Sequence, residues 1–340
     1  MRSTIRNVAE EAGVSTATVS LVLRGINDRT TPETRERVLR VAKRLNYLSV
    51  KPPTSQNRPL ETRIVTLVPQ HWEMEKHDLD MMTYQGIISS ARHHGYDILT
   101  LVGQNPTGCA ERGKSRYLDR HSDGFIFSIS DQGAWEQDLQ LVAEHGIPTV
   151  VCYRQDAPQG VATADVDNEG AMHQAVRHLV DNGHRCIAYA AGPPDNFNEQ
   201  TRRLAWLRAM RLHDLETSER MIVPGTESDH LLNNRAIATV SQLGATAVVC
   251  FNDSLALRLW DQLEAQGLSV PRDMSIISVD NLPAAAQRGL TTFAHSFQEV
   301  GRLAMEAWIA LKNGGDALTC SQLAPVQLMP RASVRCLNPS

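Results

Sequence analysis

Seven short apolar runs recur along the chain, "IVTLV", "DILTL", "GFIFSI", "PTVVCY", "CIAYAAG", "AVVCF" and "SIISVD", each separated from the next by a helix-length stretch. They are rich in β-branched residues and bounded by turn residues, which predicts strands. Strands alternating with helices predict parallel sheets covered on both faces. The intervening helices are expected over 84–94, 170–182, 202–212 and 254–266, several of them closed by Gly95, Gly183 or Gly267. The stretch 63–340 exceeds one comfortable α/β core, so two such units are expected. Right-handed crossovers then put functional loops at the carboxyl ends of the strands.

The first 60 residues follow a different pattern. They hold 11 Lys and Arg against 5 Asp and Glu, whereas the rest of the chain holds 23 against 33. A compact cationic module on an acidic body is the footprint of nucleic-acid binding, since phosphate neutralisation supplies most non-specific affinity. Ile5, Val8, Ala9 and Ala12 recur at helical spacing, and Gly13 offers the left-handed conformation that ends a helix. Ser15 can cap a second helix with Val19, Val22 and Leu23 on its buried face. Thr31-Pro32-Glu33 starts a third, carrying Val38, Val41, Ala42 and Leu45 on one stripe. Three short helices sharing one core, two of them meeting across a tight turn, make the helix-turn-helix plan, in which the second helix enters the DNA major groove.

The passages "IRNVAEEAGVSTATVSLVLRG" and "TTPETRERVLRVAKRLNY" resemble the DNA-binding headpiece of the LacI/GalR family of bacterial transcription regulators. The resemblance implies that Thr16, Ala17 and Leu21 face base edges and that Thr4, Ser15, Thr18, Thr31 and Thr34 bind phosphates. Leu21 departs from the family, which usually has an arginine there; leucine offers only apolar contact, for instance to a thymine methyl. Arg24, one turn on, is expected to add a phosphate or base contact.

The next segment, "LSVKPPTSQNRPLET", has three prolines and no apolar periodicity, and reads as a linker. In the family this stretch forms a hinge helix with a leucine that wedges into the minor groove. Here Gln56 stands at that place, and Pro52, Pro53 and Pro59 restrict the backbone, so an atypical, flexible hinge is expected.

Four later passages also resemble the family, whose large domain is similar to a two-lobed periplasmic sugar-binding protein: "VDNEGAMHQAVRHLVDNGHRCIAYAAGP", "RRLAWLRAM", "CFNDSLALRLWDQLEAQGLSVPRDMSIISVDN" and "LTTFAHSFQEVGRLAMEAW". The implied fold is α/β: a three-helix headpiece over 1–48, a linker over 49–62, and an effector-binding and dimerisation domain over 63–340. The implied lobe crossings lie near Ala162, Ala294 and Leu323, giving an N-lobe of 63–161 with 294–322 and a C-lobe of 162–293 with 323–340. An effector, a sugar or sugar derivative, is expected in the cleft. The resemblance assigns it Arg202 and Asp280, with Asn252, His295 (where a glutamine is common), Gln70, Trp72 and Tyr153 (where an aspartate is usual) as further contacts. An arginine and an aspartate suit a sugar because charged groups make the stronger hydrogen bonds to hydroxyls.

An enzyme would need a reacting constellation. The chain has no Gly-x-Gly-x-x-Gly after a strand, no phosphate loop, no Gly-x-Ser-x-Gly elbow and no His-Glu-x-x-His pair. His93, His94, His178 and His184 read as surface residues of helices. Cys109, Cys152, Cys186, Cys250, Cys320 and Cys336 are scattered singly and read as reduced packing residues. No catalytic group, metal or cofactor is expected. No apolar run nears the roughly 18 residues that cross a bilayer, and the first 25 residues lack a signal-peptide core, so a cytoplasmic, nucleoid-associated protein is expected rather than an exported solute-binding protein. The alternatives are a solute binder without a DNA role and a regulator whose pocket no longer answers an effector. The expected partners are a palindromic double-stranded operator, a carbohydrate effector and a second copy of the chain, because one recognition helix reads too few base pairs and two-fold symmetry matches two half-sites.

Overall fold

The computed structural model describes residues 5–23, 30–45, 62–69, 78–101, 117–118, 121–130, 135–223 and 242–337. The chain divides into two compact units, Met1–Leu60 and Glu61–Ser340.

The first unit holds α1 (Ile5–Ala12), α2 (Thr16–Leu23) and α3 (Pro32–Arg44). Gly13 takes φ +60° after α1, as the turn requires. Ser15 Oγ accepts from Thr18 N at 3.1 Å, and Thr31 Oγ1 accepts from Thr34 N at 3.3 Å, so hydroxyls satisfy orphan amides at the starts of α2 and α3. Val8, Ala9, Ala12, Val19, Val22, Val38, Val41 and Ala42 form the core, with Ile5, Val14 and Leu45 packed at its edge.

The second unit is two α/β lobes. The N-lobe sheet runs in the order β11-β5-β4-β3-β1-β2, built from β1 (Ile64–Pro69), β2 (Asp97–Thr100), β3 (Phe125–Ser128), β4 (Thr149–Cys152), β5 (Val161–Val166) and β11 (Gln322–Ala324), all parallel. The C-lobe sheet runs β12-β10-β9-β8-β6-β7, from β6 (Ile187–Ala190), β7 (Ile222–Val223), β8 (Ala247–Cys250), β9 (Ser275–Asp280), β10 (Thr291–Ala294) and β12 (Gln327–Met329), the last antiparallel to β10. All seven apolar runs of the sequence are strands in these sheets.

Alternate side chains of the N-lobe strands enter different cores. Val65, Leu67, Ile126, Val150 and Cys152 face α4 (Asp78–His93) and α10 (Phe297–Lys312), while Val68, Phe125, Phe127 and Val151 face Trp135 and α5 (Glu136–Glu144). That is the period-2 consequence of a sheet buried on both sides. At the crossing of α4 with α10 the backbones touch: a Cβ on Gly301 would sit 2.0 Å from Thr83 O, and one on Gly86 would sit 2.0 Å from Gln298 O. The C-lobe core gathers α6 (Asn168–Asp181), α7 (Phe197–Leu212), α8 (Asp253–Ala265) and the short α9 (Pro283–Arg288) around β6, β8 and β9.

Two expected lobe crossings move. Ala162 lies inside β5, where it pairs with Val150 of the N-lobe sheet, so the chain crosses after Val166. Leu323 likewise pairs with Asp165 in the N-lobe sheet, so the last crossing follows Ala324. The cause is compositional: Val161–Val166 reads VATADV, too small and polar to stand out as a strand, although all six residues are buried. Ala294, the third expected crossing, is the last residue of β10 in the C-lobe sheet, ahead of α10, whose side chains enter the N-lobe core.

His184 is a further correction. It is fully buried outside any helix, with Nδ1 2.8 Å from Thr246 Oγ1 and Nε2 3.1 Å from Arg335 O. Cys152, Cys250 and Cys320 are buried and Cys186 is half-buried, but Cys336 is exposed and so is no packing residue; Cys109 lies outside the described residues.

Candidate functional site

Two places merit attention, one in each unit. On α2, Val19 and Val22 turn inward, which leaves Thr16 and Ala17 exposed and Ser20 and Leu21 half-exposed on the opposite face. Ser15 and Thr18 hydroxyls lie 2.9 Å apart, and Thr31 Oγ1 donates to Thr34 Oγ1 at 3.1 Å, so four of the five residues expected at phosphates lie at the N-termini of α2 and α3. Backbone amides and the helix dipole favour an anion at such termini. Thr4 and Arg24 lie outside the described residues, as do the linker residues Pro52, Pro53, Gln56 and Pro59.

The second place is the cleft between the lobes, at the carboxyl ends of β5, β8, β9 and β10. Arg202 on α7 is 4% exposed. Its Nε donates to Asn168 Oδ1 at 2.7 Å, its Nη1 donates to Phe251 O at 2.7 Å, and Nη2 lies 3.9 Å from Asp280 Oδ1. The guanidinium also stands 5.1 Å from the Phe251 ring centre. Asp280 ends β9 with φ 120° and is followed by Asn281 at φ 57°. Two successive non-glycine residues in this region are strained backbone, which persists where the surroundings over-determine it. His295 Nε2 lies 3.2 Å from the same Asp280 Oδ1, and no described residue pairs with its buried Nδ1.

The polar chain continues into the N-lobe. Asn168 Nδ2 donates to Asp165 Oδ2 at 3.2 Å and to Asn198 Oδ1 at 2.9 Å, while Gln155 Nε2 donates to Asp165 Oδ2 at 3.1 Å. Burial pushes the Asp165 carboxyl above the usual range, against the opposing pull of the Val166 amide, Gln155 and the Arg202 charge. On another side of the cleft Phe197 N donates to Ser130 O at 2.8 Å, and Arg154 lies 4.0 Å over the Phe197 ring, itself held by Glu136 at 2.6 Å and Asp156 at 3.1 Å.

The structure therefore brings Arg202, Asp280 and His295 together. Asn252 stands nearby as the cap of α8, its Oδ1 accepting from Leu255 N at 2.9 Å, so that oxygen is already engaged. Tyr153 has φ 64°, and its hydroxyl is taken by Thr83 on α4. Gln70 and Trp72 lie outside the described residues. Trp206 is fully buried and stacked on Tyr189 at 5.4 Å, which makes it core. Sequence reasoning missed Asp165, Asn168 and Gln155; the signal available was the polar "DVDN" at the end of an otherwise apolar stretch, just ahead of a helix. No group of His, Cys, Asp and Glu among the described residues could hold a metal ion, and no described helix is long and apolar enough to cross a membrane.

Comparison with known proteins agrees with this division. Residues 4–49 match the family described as bacterial regulatory proteins, lacI family, and residues 176–334 match the periplasmic binding protein-like domain. The HTH-type transcriptional repressor PurR of Vibrio campbellii is 31% identical over 346 residues, covering 99% of this chain and 100% of the relative. The HTH-type transcriptional repressor CytR of Escherichia coli K12 is 29% identical over 346 residues, covering 98% and 97%. Among solved structures, the complex of the transcriptional regulator CelR with cellobiose superposes with a TM-score of 0.68 at 26% identity, covering 98% of this chain and all of that one. With a matching headpiece and repressor relatives along its whole length, the chain belongs to the LacI family of bacterial transcription regulators.

Proposed function

We propose that this regulator is a repressor that binds a two-fold symmetric operator as a homodimer, and that a neutral carbohydrate held between its lobes changes its affinity for DNA. The observation that carries the effector reading is the buried chain Asp165, Asn168, Arg202, Asp280, His295, which runs between the two lobes and includes an imidazole nitrogen with no described partner. Buried polar groups are kept where something satisfies them, and a ligand rich in hydroxyls both donates and accepts. CelR, a structural relative, is seen with cellobiose. Phosphates are assigned to Thr4, Ser15, Thr18, Thr31 and Thr34, a phosphate or base contact to Arg24, and the role of a tether to the proline-bearing linker. Dimerisation follows from the geometry of operators, since two recognition helices are needed to read two half-sites. In the cytoplasm such a protein meets both its operator and its effector.

A thermal-shift screen of mono- and disaccharides on the full chain tests the effector reading. A ligand bound in the cleft raises the melting temperature in wild type and raises it less at the same concentration once Asp280 is changed. If no carbohydrate shifts the melting temperature, the pocket does not serve this class of effector.

A further inference from the structure

The recognition helix α2 (Thr16–Leu23) carries none of the side chains that read bases bidentately. Its sequence TATVSLVL has no Arg, Lys, Asn, Gln, Asp or Glu, and those are the residues that distinguish guanine, adenine and cytosine by paired hydrogen bonds. Thr16, Ala17, Ser20 and Leu21 stand at i, i+1, i+4 and i+5, so they share one face, away from the buried Val19 and Val22. That face carries the methyls of Thr16, Ala17 and Leu21 and two hydroxyls, those of Thr16 and Ser20. Leu21 is half-buried, yet among the described residues it is not one of those packed against the headpiece core, which takes Ile5, Val14 and Leu45 at its edge. An aliphatic side chain of this size, on a basic module and unused by its own core, is spare apolar surface.

Resting on the DNA-binding reading, we infer that this chain selects its half-sites chiefly by apolar contact with thymine C5-methyl groups, Ala17 and Leu21 supplying the surface and Leu21 the larger share. Among the four bases only thymine presents an apolar group in the major groove, so a helix that offers methyls and no bidentate donor gains most from thymine. Thr16 and Ser20 add single hydrogen bonds, which discriminate less. The phosphate contacts hold the register and carry no sequence information of their own.

The full-length chain is used to enrich duplexes from a pool with a random core of about 20 base pairs, wide enough for two half-sites one helical turn apart. The enriched duplex is then resynthesised with deoxyuridine for thymidine, one position at a time in both half-sites, and bound in fluorescence anisotropy. Removing a buried methyl is expected to weaken binding about four-fold, or about fifteen-fold when both half-sites lose it. Leu21→Ala is expected to bind the thymidine duplex more weakly and to respond no further to deoxyuridine at the position Leu21 touches, with a melting temperature close to wild type. The same substitutions in the flanks serve as controls and are expected to change nothing. Equal affinity for deoxyuridine and thymidine throughout the half-sites would overturn the inference while leaving DNA binding in place. Enriched half-sites without a shared thymine would do the same. A pool that yields no enriched duplex would overturn both this inference and the operator reading beneath it.

Discussion

Arg202 and Asp280 differ in what else depends on them, and two substitutions separate effector binding from folding. Arg202 is almost fully buried and serves Asn168 Oδ1 and Phe251 O at 2.7 Å each, besides its contact with the Phe251 ring. Arg202→Ala strands both acceptors and opens a hole, and it removes the cation nearest to Asp280. Two lost charge-assisted bonds at about 1.5–3 kcal/mol each put the cost to the C-lobe at about 3–6 kcal/mol. Asp280→Asn is milder. The ion pair with Arg202 is long, at 3.9 Å, and an asparagine oxygen can still take the proton of His295 Nε2 across 3.2 Å. Asparagine also tolerates the positive φ of 120° better than most residues. The fold should lose less than about 1 kcal/mol. The effector would exchange a charge-assisted bond for a neutral one, about 1–2 kcal/mol, or five- to thirty-fold in Kd. Calorimetry with a carbohydrate found by the screen measures the affinity, and denaturant titration measures the fold. Unchanged Kd in Asp280→Asn would refute the assignment of Asp280 to the ligand, and an unchanged unfolding midpoint in Arg202→Ala would refute its structural share.

Gly301→Ala should cost about 3 kcal/mol or more, because its Cβ would sit 2.0 Å from Thr83 O and force α4 and α10 apart; Gly314→Ala, in open space at φ +91°, should cost only about 1 kcal/mol of backbone strain. Equal melting temperatures for the two variants would contradict the close-crossing account. Glu199, buried with Oε2 accepting from Tyr189 OH at 2.9 Å and Gly192 N at 2.7 Å, has its pKa pushed up to about 7 by burial. A raised folded pKa means the unfolded chain loses its proton first, so the contribution to stability is full below about pH 4.3 and is lost as pH rises toward 7, by about 4 kcal/mol at most. Asp253, raised to about 6 by burial, acts in the same direction. Glu199→Gln should flatten the fall of stability across that window; a pH profile identical to wild type would count against it. Phe197→Ala removes the ring under Arg154 and should weaken effector binding several-fold by favouring separated lobes, with little change in operator affinity when no effector is present. Equal effector affinity in calorimetry would remove Phe197 from the closure.

The parallel α/β plan was readable because both faces of each sheet are buried, which turns strands such as Phe125–Ser128 and Ser275–Asp280 into apolar runs that no surface strand would show. The headpiece was readable because its caps and core are local in sequence. β5 escaped notice because VATADV packs small residues, among them Ala162 and Ala164, close beneath α10, where bulk would not fit. In the cleft, Arg202 and Asp280 could be named from the family resemblance, but Asp165 and Asn168 could not be ranked, since only the fold brings residues from β5, α6 and α7 to one point. The engagement of Tyr153 by Thr83 is likewise a contact across 70 positions that spacing along a chain cannot disclose.

Fluorescence anisotropy of the full chain on its enriched operator and on a scrambled duplex, with and without the carbohydrate that stabilises the protein, tests the regulator as a whole. The operator should be bound at least about 1,000-fold more tightly than the scrambled duplex, with affinity falling steeply as salt rises. The carbohydrate should shift the operator Kd at least about five-fold in wild type and much less in Asp280→Asn. Equal binding of operator and scrambled duplex at every salt concentration would contradict the account, and so would a carbohydrate that binds the cleft yet leaves the operator Kd where it was.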